Sequence, residues 1–395
     1  METLLVKSRR KIKNAPEKFS RFLKDEINFN HRLIGILGAR GVGKTTLLLQ
    51  TAKSKNPDQT LYTALDDLFF TNNTLYLLAE QFSLSGGKLL LLDEVHKYPD
   101  WSREIKLIYD DFPDMKVIFT SSSVLDIYRG ESDLSRRAVK YLLPELSFRE
   151  FLELYQNIRY SPIKMDDLLQ HHTDIALNIT DKIKPLKYFP QYLRYGNYPF
   201  YDGHEDEYHQ KIRNIINMIL DVDLFTTKDI SYENISKFKR LLYILAMNVP
   251  FTPNISKLSQ QIKIHRNKLA EALHIMSKAQ LINILYKKNK SVSMLNKPDK
   301  VWLQNPNLSY AIGDNYPDKG NLREAFFISQ LQEKHQLSLP EKGDFLVDNQ
   351  TIFEVGGKNK SMEQIKQLPD AYRVKDDIEV GSLNTIPLWL FGFLY

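Results

Sequence analysis

Gly38-Ala39-Arg40-Gly41-Val42-Gly43-Lys44-Thr45 is the stretch on which the reading of this chain turns. Upstream of it, Arg32 to Leu37 reads as a short buried strand, with Leu33, Ile34 and Ile36 supplying the apolar run. Downstream, Leu47-Leu48-Leu49 begins an apolar helix face. Strand, glycine loop and helix, in that order, are the setting in which G-x-x-x-x-G-K-T holds phosphate. The glycines let the backbone turn tightly enough for successive N–H groups to face an anion. A helix beginning near Lys44 aims its positive dipole end at the same place. On this reading Gly38, Ala39, Arg40, Gly41, Val42, Gly43, Lys44, Thr45 and Thr46 form a candidate ATP-binding segment. Lys44 bridges the β- and γ-phosphates, and the Thr45 hydroxyl takes Mg²⁺.

A second element turns a phosphate site into an ATP-hydrolysing one. Lys88-Leu89-Leu90-Leu91-Leu92-Asp93-Glu94 is a leucine run ending in two carboxylates. A strand buried on both faces has this look, and ligands of open α/β sheets sit at strand carboxyl ends. Asp93 is the candidate metal ligand and Glu94 the candidate base for the attacking water. Further strands are expected at Leu61-Tyr62-Thr63, Lys116–Thr120 and Ala138–Leu143. Asp66 and Asp67 read as turn caps. Thr120 and Ser121, opening the run Ser121–Ser123, are candidates to orient the water or sense the γ-phosphate, with simple turn chemistry as the alternative. Arg136 and Arg137, just before the last strand, are candidates to reach the γ-phosphate of a neighbouring subunit. Surface pairing with Glu131 or Asp133 is their competing reading.

These residues carry a resemblance. The glycine loop, the Asp93-Glu94-Val95-His96 strand end, Ser121–Ser123, Asp133-Leu134-Ser135-Arg136-Arg137 and Leu146-Ser147-Phe148-Arg149-Glu150-Phe151 resemble the prokaryotic AAA-type, archaeal-ATPase-like P-loop ATPases with a C-terminal domain of unknown function. The resemblance is strongest over residues 1–150. It implies ATP and Mg²⁺ as cofactors, a RecA/AAA-like α/β sheet of strand order 5-1-4-3-2, a helical lid and accessory C-terminal modules. The domain division expected is 1–146 for the ATPase core, 147–230 for the lid, 231–295 for a winged-helix-like module and 296–395 for a small α/β domain.

Within the expected lid, apolar residues at helical spacing flank the aromatic turn Tyr192–Pro199, where Arg194 either touches ATP or stacks on aromatic rings. In 231–295, helices are expected around Phe238–Leu245 and Ile255–Ser259. A third opens at His265-Arg266-Asn267-Lys268-Leu269 and ends in Leu281–Leu285. Arg266, Asn267 and Lys268 sit where such a fold meets DNA, although it serves equally as a protein-binding module. In 296–395, Glu324 on a helix, Asp344 before Phe345–Val347 and Glu354 within Thr351–Val355 form the acidic skeleton of a restriction-endonuclease-like metal site. Gly356 stands where that pattern has lysine, Lys358 comes two positions late, and Gln364 is placed on the next helix. The displaced lysine favours a degenerate version.

Composition bounds the rest. Over 395 residues, 43 % hydrophobic and 26 % charged residues describe ordinary globular usage, and the absence of cysteine excludes disulfides and thiolate metal sites. A net charge of +6 permits an acidic partner without demanding one; the basic clusters Lys7–Lys13 and Lys287–Lys290 read as solvated faces. No apolar run approaches the length of a membrane span and no signal segment is evident, so a cytoplasmic, soluble chain with no membrane role is expected. The leading reading is an ATP-hydrolysing AAA-type switch whose C-terminal modules bind DNA or a protein partner, in a chain free to oligomerise. The alternatives are an ATP-regulated, metal-dependent DNA nuclease and a non-catalytic ATP-binding scaffold.

Overall fold

Leu89-Leu90-Leu91-Leu92 has no polar face, so its strand is stable only inside a sheet covered on both sides. The computed structural model, which describes residues 1–122, 134, 136–223, 232–247, 255–288, 298–313, 317–361 and 363–395, places it so. Ser123, Glu131, Asp133, Ser135 and Lys290, and the expected boundaries at 230/231 and 295/296, lie outside the described residues. Two compact units are present, Met1–Pro144 and Glu145–Tyr395.

In the first unit, α1 (Glu2–Asn14) and the short α2 (Leu23–Glu26) precede β1 (Leu33–Leu37) and α3 (Lys44–Lys53). There follow β2 (Thr60–Ala64), α4 (Leu75–Leu84), β3 (Leu89–Asp93), α5 (Trp101–Asp111), β4 (Lys116–Ser121) and β5 (Val139–Leu142). The sheet is wholly parallel, in the order β2-β3-β4-β1-β5, which is the order that the resemblance implied. Helix α1 covers the β2 edge, where the Tyr62 N–H donates to Ser8 Oγ at 2.9 Å and so occupies an edge group that would otherwise invite a foreign strand. Three of its basic residues are tied to their own unit: Lys7 pairs with Asp67 and Arg9 with Asp58, each at 2.7 Å, and Lys11 lies over the Tyr62 ring.

The second unit begins with α6 (Phe148–Gln156), whose start is fixed by a capping box between Ser147 and Glu150. Helices α7 (Met165–Thr180), α8 (Pro185–Tyr195) and α9 (Glu205–Met218) follow. Three more helices, α10 (Tyr232–Met247), α11 (Ile255–Ile262) and α12 (Arg266–Lys278), lead to an antiparallel pair, β6 (Ile282–Leu285) and β7 (Lys300–Leu303). The run Leu281–Leu285, expected as the end of a helix, is thus largely strand: Gln280 takes a left-handed turn at φ 56° after α12, and the β-branched isoleucines pair across to Val301 and Leu303. Helices α13 (Pro306–Ile312) and α14 (Lys319–Leu331) precede a mixed sheet of β8 (Leu337–Ser338), β9 (Phe345–Val347), β10 (Thr351–Gly356), β11 (Ala371–Lys375) and β12 (Thr385–Pro387), in the order β12-β11-β10-β9-β8. The segments expected as separate lid and terminal domains share one core here. Phe148 meets Phe189 and Phe393, and Phe189 packs edge-on against Phe326 of α14 at 4.8 Å between ring centres.

Candidate functional site

The glycine loop joins the carboxyl end of β1 to α3, and its three glycines have positive φ (150°, 83° and 99° at Gly38, Gly41 and Gly43). A Cβ on Gly38 would stand 2.3 Å from the Leu143 carbonyl oxygen, so only glycine lets the loop leave β1 alongside the end of β5. Gly43 then caps α3, bringing the first N–H groups of a ten-residue helix to the loop. Lys44, itself buried, folds back and donates to the carbonyls of Gly38 at 2.8 Å and Ala39 at 2.9 Å. This places its ammonium inside the curl of the loop.

Asp93, at the end of β3, is the hub of the polar groups beside that loop. Its Oδ2 accepts hydrogen bonds from Thr45 Oγ1 and from Tyr62 Oη, both at 2.8 Å. Its Oδ1 accepts one from Thr120 Oγ1 at 2.5 Å. Burial, and then the Asp93 charge, push the Tyr62 phenol far above its ordinary range, so it remains a donor at any working pH. A threonine hydroxyl and a buried carboxylate in direct contact form a hard-oxygen donor set of the kind that suits Mg²⁺, and Thr45 and Asp93 are the residues that would hold it.

Glu94 follows in the left-handed region at φ 53°, unusual for a residue with a side chain. Thr120 secures this turn by accepting the Glu94 N–H at 3.0 Å while donating to Asp93. The Glu94 carboxylate faces Arg40 of the glycine loop, with Oε2 3.4 Å from Arg40 Nη1 and 3.3 Å from His96 Nε2. Burial raises the Glu94 pKa above the ordinary carboxylate value; Lys44 and Arg40 pull it back, and the neighbouring Asp93 charge adds to the rise.

Other expected site residues are placed less centrally. Ser121 is buried, and its hydroxyl turns to the Ser122 carbonyl at 3.4 Å. Arg137 makes a two-point contact with Asp110 on α5, both nitrogens at 2.9 Å, while Arg136 is exposed. Asp67 caps the turn at Phe69, as its position after β2 suggested. In the second unit, Arg194 pairs with Glu205 at 3.3 Å and lies 5.6 Å from the Tyr310 ring centre.

The carboxyl-terminal carboxylates Glu324, Asp344 and Glu354 are each engaged by groups of the chain itself. Among the described residues, no group of three or more His, Asp or Glu side chains is placed to hold a metal ion. Glu324 instead accepts the indole N–H of Trp302 at 2.9 Å, and burial raises its pKa. Asp344 Oδ2 caps the Val355 N–H at 2.8 Å. The nearly fully buried Glu354 pairs with the ammonium of Lys360 at 2.8 Å, and that ammonium is 3.6 Å from Asp344. The lysine that reaches these acids is therefore Lys360; Lys358 is exposed, and Gln364 is exposed in a turn rather than on a helix. Burial works against the Lys360 charge, but its hydrogen bond to Glu354 and the two carboxylates outweigh this and raise its pKa. Lys360→Met should accordingly leave Glu354 buried and unpaired, and lower stability by about 1–3 kcal/mol. Thermal unfolding checks this, and Glu354→Gln added to Lys360→Met should recover part of the loss. An unchanged melting temperature in the single variant would contradict the pairing.

Three residues at the nucleotide loop and one in the second unit had not been assigned these contacts from sequence: Tyr62, His96 and the acid-facing role of Arg40, and Lys360. Tyr62 sits at a strand position where aromatics are common, and nothing local distinguishes it. His96, two residues after Glu94, carried the only sequence signal.

Comparison with known proteins agrees with this geometry. Residues 30–152 match the AAA domain family, and residues 186–313 match a family described as Domain of unknown function (DUF8612). The amino-terminal unit is thus an AAA-type, nucleotide-binding P-loop domain, followed by a region whose family has no assigned role. An uncharacterized protein of Methanocaldococcus jannaschii, MJ1637, is 27 % identical over 402 residues, covering 93 % of this chain and 83 % of that protein. Among solved structures, the Aeropyrum pernix ORC1 protein in complex with DNA aligns over 82 % of this chain and 91 % of its own, at 11 % identity and a TM-score of 0.31. AMPPCP-bound DnaA from Aquifex aeolicus aligns over 65 % of this chain and 84 % of its own, at 15 % identity and a TM-score of 0.28. No helix among the described residues is long and apolar enough to cross a membrane.

Proposed function

We propose that this chain is a Mg²⁺-dependent, ATP-hydrolysing AAA-type switch whose second unit engages a partner. One observation carries the reading: the loop residue Thr45 hydrogen-bonds the strand-end Asp93, and Glu94 stands next to it with its backbone fixed by Thr120. Phosphate cradle, metal donors and base then lie at the carboxyl ends of neighbouring strands, where ligands of open α/β sheets bind. Lys44 and the α3 N-terminus bind the phosphates, and Thr45 and Asp93 would hold Mg²⁺, which supplies charge neutralisation on the phosphate oxygens. Water attacks the γ-phosphorus while its bond to the β-phosphate oxygen breaks, giving ADP and inorganic phosphate. Glu94 accepts the water's proton. A scaffold that only bound ATP would have no use for that carboxylate. In an oligomer, the exposed Arg136, and Arg137 on leaving Asp110, are the arginines that would reach a neighbour's γ-phosphate.

For the partner, double-stranded DNA is favoured by α12, whose first turn exposes Arg266, Asn267 and Lys268 after the α10–α11 pair and before the β6–β7 hairpin. The ATP turnover rate with and without double-stranded DNA tests this. DNA should change the rate severalfold, and reversing charge with Arg266→Glu and Lys268→Glu should remove the response while leaving the basal rate intact. No response to DNA in the wild type would move the partner to protein. The acids around Lys360 serve as a structural cluster on this reading, so no plasmid nicking in Mg²⁺ or Mn²⁺ is expected.

A further inference from the structure

Besides Lys44, the glycine loop carries one charged side chain, Arg40. Its guanidinium is committed to the strand end opposite: Nη1 lies 3.4 Å from Glu94 Oε2, and Nη2 lies 3.4 Å from His96 Nε2. Glu94 and His96 are themselves 3.3 Å apart. The cluster is largely closed to water, with side-chain exposures of 13 % for Arg40, 23 % for Glu94 and 2 % for His96. Water therefore screens the arginine's charge little. Yet these contacts are long beside the 2.7–2.9 Å or so of a settled charge-assisted hydrogen bond. A guanidinium can exchange a carboxylate for a more highly charged anion that comes within reach, and its planar fork suits phosphate oxygens. The loop to which Arg40 belongs receives phosphates.

We propose that Arg40 is the residue by which this site tells a nucleoside triphosphate from a diphosphate, its guanidinium exchanging the Glu94 carboxylate for the γ-phosphate. This rests on the ATP-hydrolysing reading above and deepens it. Glu94 is held by Arg40 until a triphosphate takes the arginine away, and it can then accept a proton from water. Base and substrate charge are thereby coupled through one side chain, and a diphosphate, lacking the γ-phosphate, leaves the pair in place.

Calorimetry tests the exchange, using a non-hydrolysable ATP analogue and ADP on the full chain as wild type, Arg40→Ala, Glu94→Gln and the double variant. Arg40→Ala should weaken the analogue about tenfold, the usual scale of one charge-assisted contact, and leave ADP within about twofold. Glu94→Gln removes the rival anion and should tighten the analogue severalfold, a gain that disappears when Arg40 is absent. Arg40→Lys keeps the charge without the fork and should fall between wild type and Arg40→Ala, so the test stands if the alanine variant fails to fold. Equal effects on both nucleotides, or a Glu94→Gln effect independent of Arg40, would overturn the exchange while the ATP-hydrolysing reading stands. A folded wild type that bound neither nucleotide would overturn both.

Discussion

Lys44→Ala is expected to lower ATP affinity by two orders of magnitude or more, with the fold intact. The ammonium sits inside the loop on two of its carbonyls, 2.8 and 2.9 Å away, where the curl of backbone is built to meet phosphate. Alanine removes the point charge and its hydrogen bonds together, and contacts to a charged phosphate are worth about 1.5–3 kcal/mol each. Those carbonyls are buried and lose their donor in the variant, so a cost to folding accompanies the larger cost to binding. Calorimetry with ATP, accompanied by a melting curve, reads both quantities. Unchanged affinity in a folded variant would mean that phosphate is held elsewhere.

Glu94→Gln should separate binding from chemistry. The amide keeps the shape of the side chain but cannot take a proton, so turnover should fall by about 10²-fold or more while ATP still binds. The pH profile carries a second mark of the same residue. A base works only when ionised, and burial raises the Glu94 value above the ordinary carboxylate range. The acid limb of kcat/KM should therefore lie at higher pH than an exposed glutamate would give, with activity lost as pH falls through it. That limb should vanish from the residual activity of Glu94→Gln. Wild-type turnover in the variant would assign the base to another group and bring transfer to a small acceptor into question.

The nucleotide site was legible because its parts are local in sequence. A glycine loop between a strand and a helix, and a leucine run closed by two acids, each state their geometry within about ten residues. Their convergence also followed, since parallel strands gather their carboxyl ends on one edge of the sheet. Long-range pairings between side chains had no such signal. Tyr62 reaches Asp93 because β2 lies beside β3, a neighbourhood that the strand order supplies and the residue type does not. Arg40 and His96 meet Glu94 only after the left-handed turn at Glu94 brings the two loops face to face. At the other end of the chain, counting positions from Glu354 pointed to Lys358. The turn after β10 instead brings Lys360 back over the buried carboxylate. Leu281–Leu285 misled for a related reason. A short apolar run fits helix or strand equally, and pairing with β7 decided it.

Phosphate release from ATP by the full chain, measured in Mg²⁺ and again in EDTA, tests the central claim most directly. A wild-type rate that depends on the divalent cation and is lost in Asp93→Asn, with ATP still bound, is the expected result. Sustained hydrolysis in EDTA, or an Asp93→Asn rate equal to wild type, would contradict a site in which Thr45 and Asp93 hold the metal and Glu94 acts beside them.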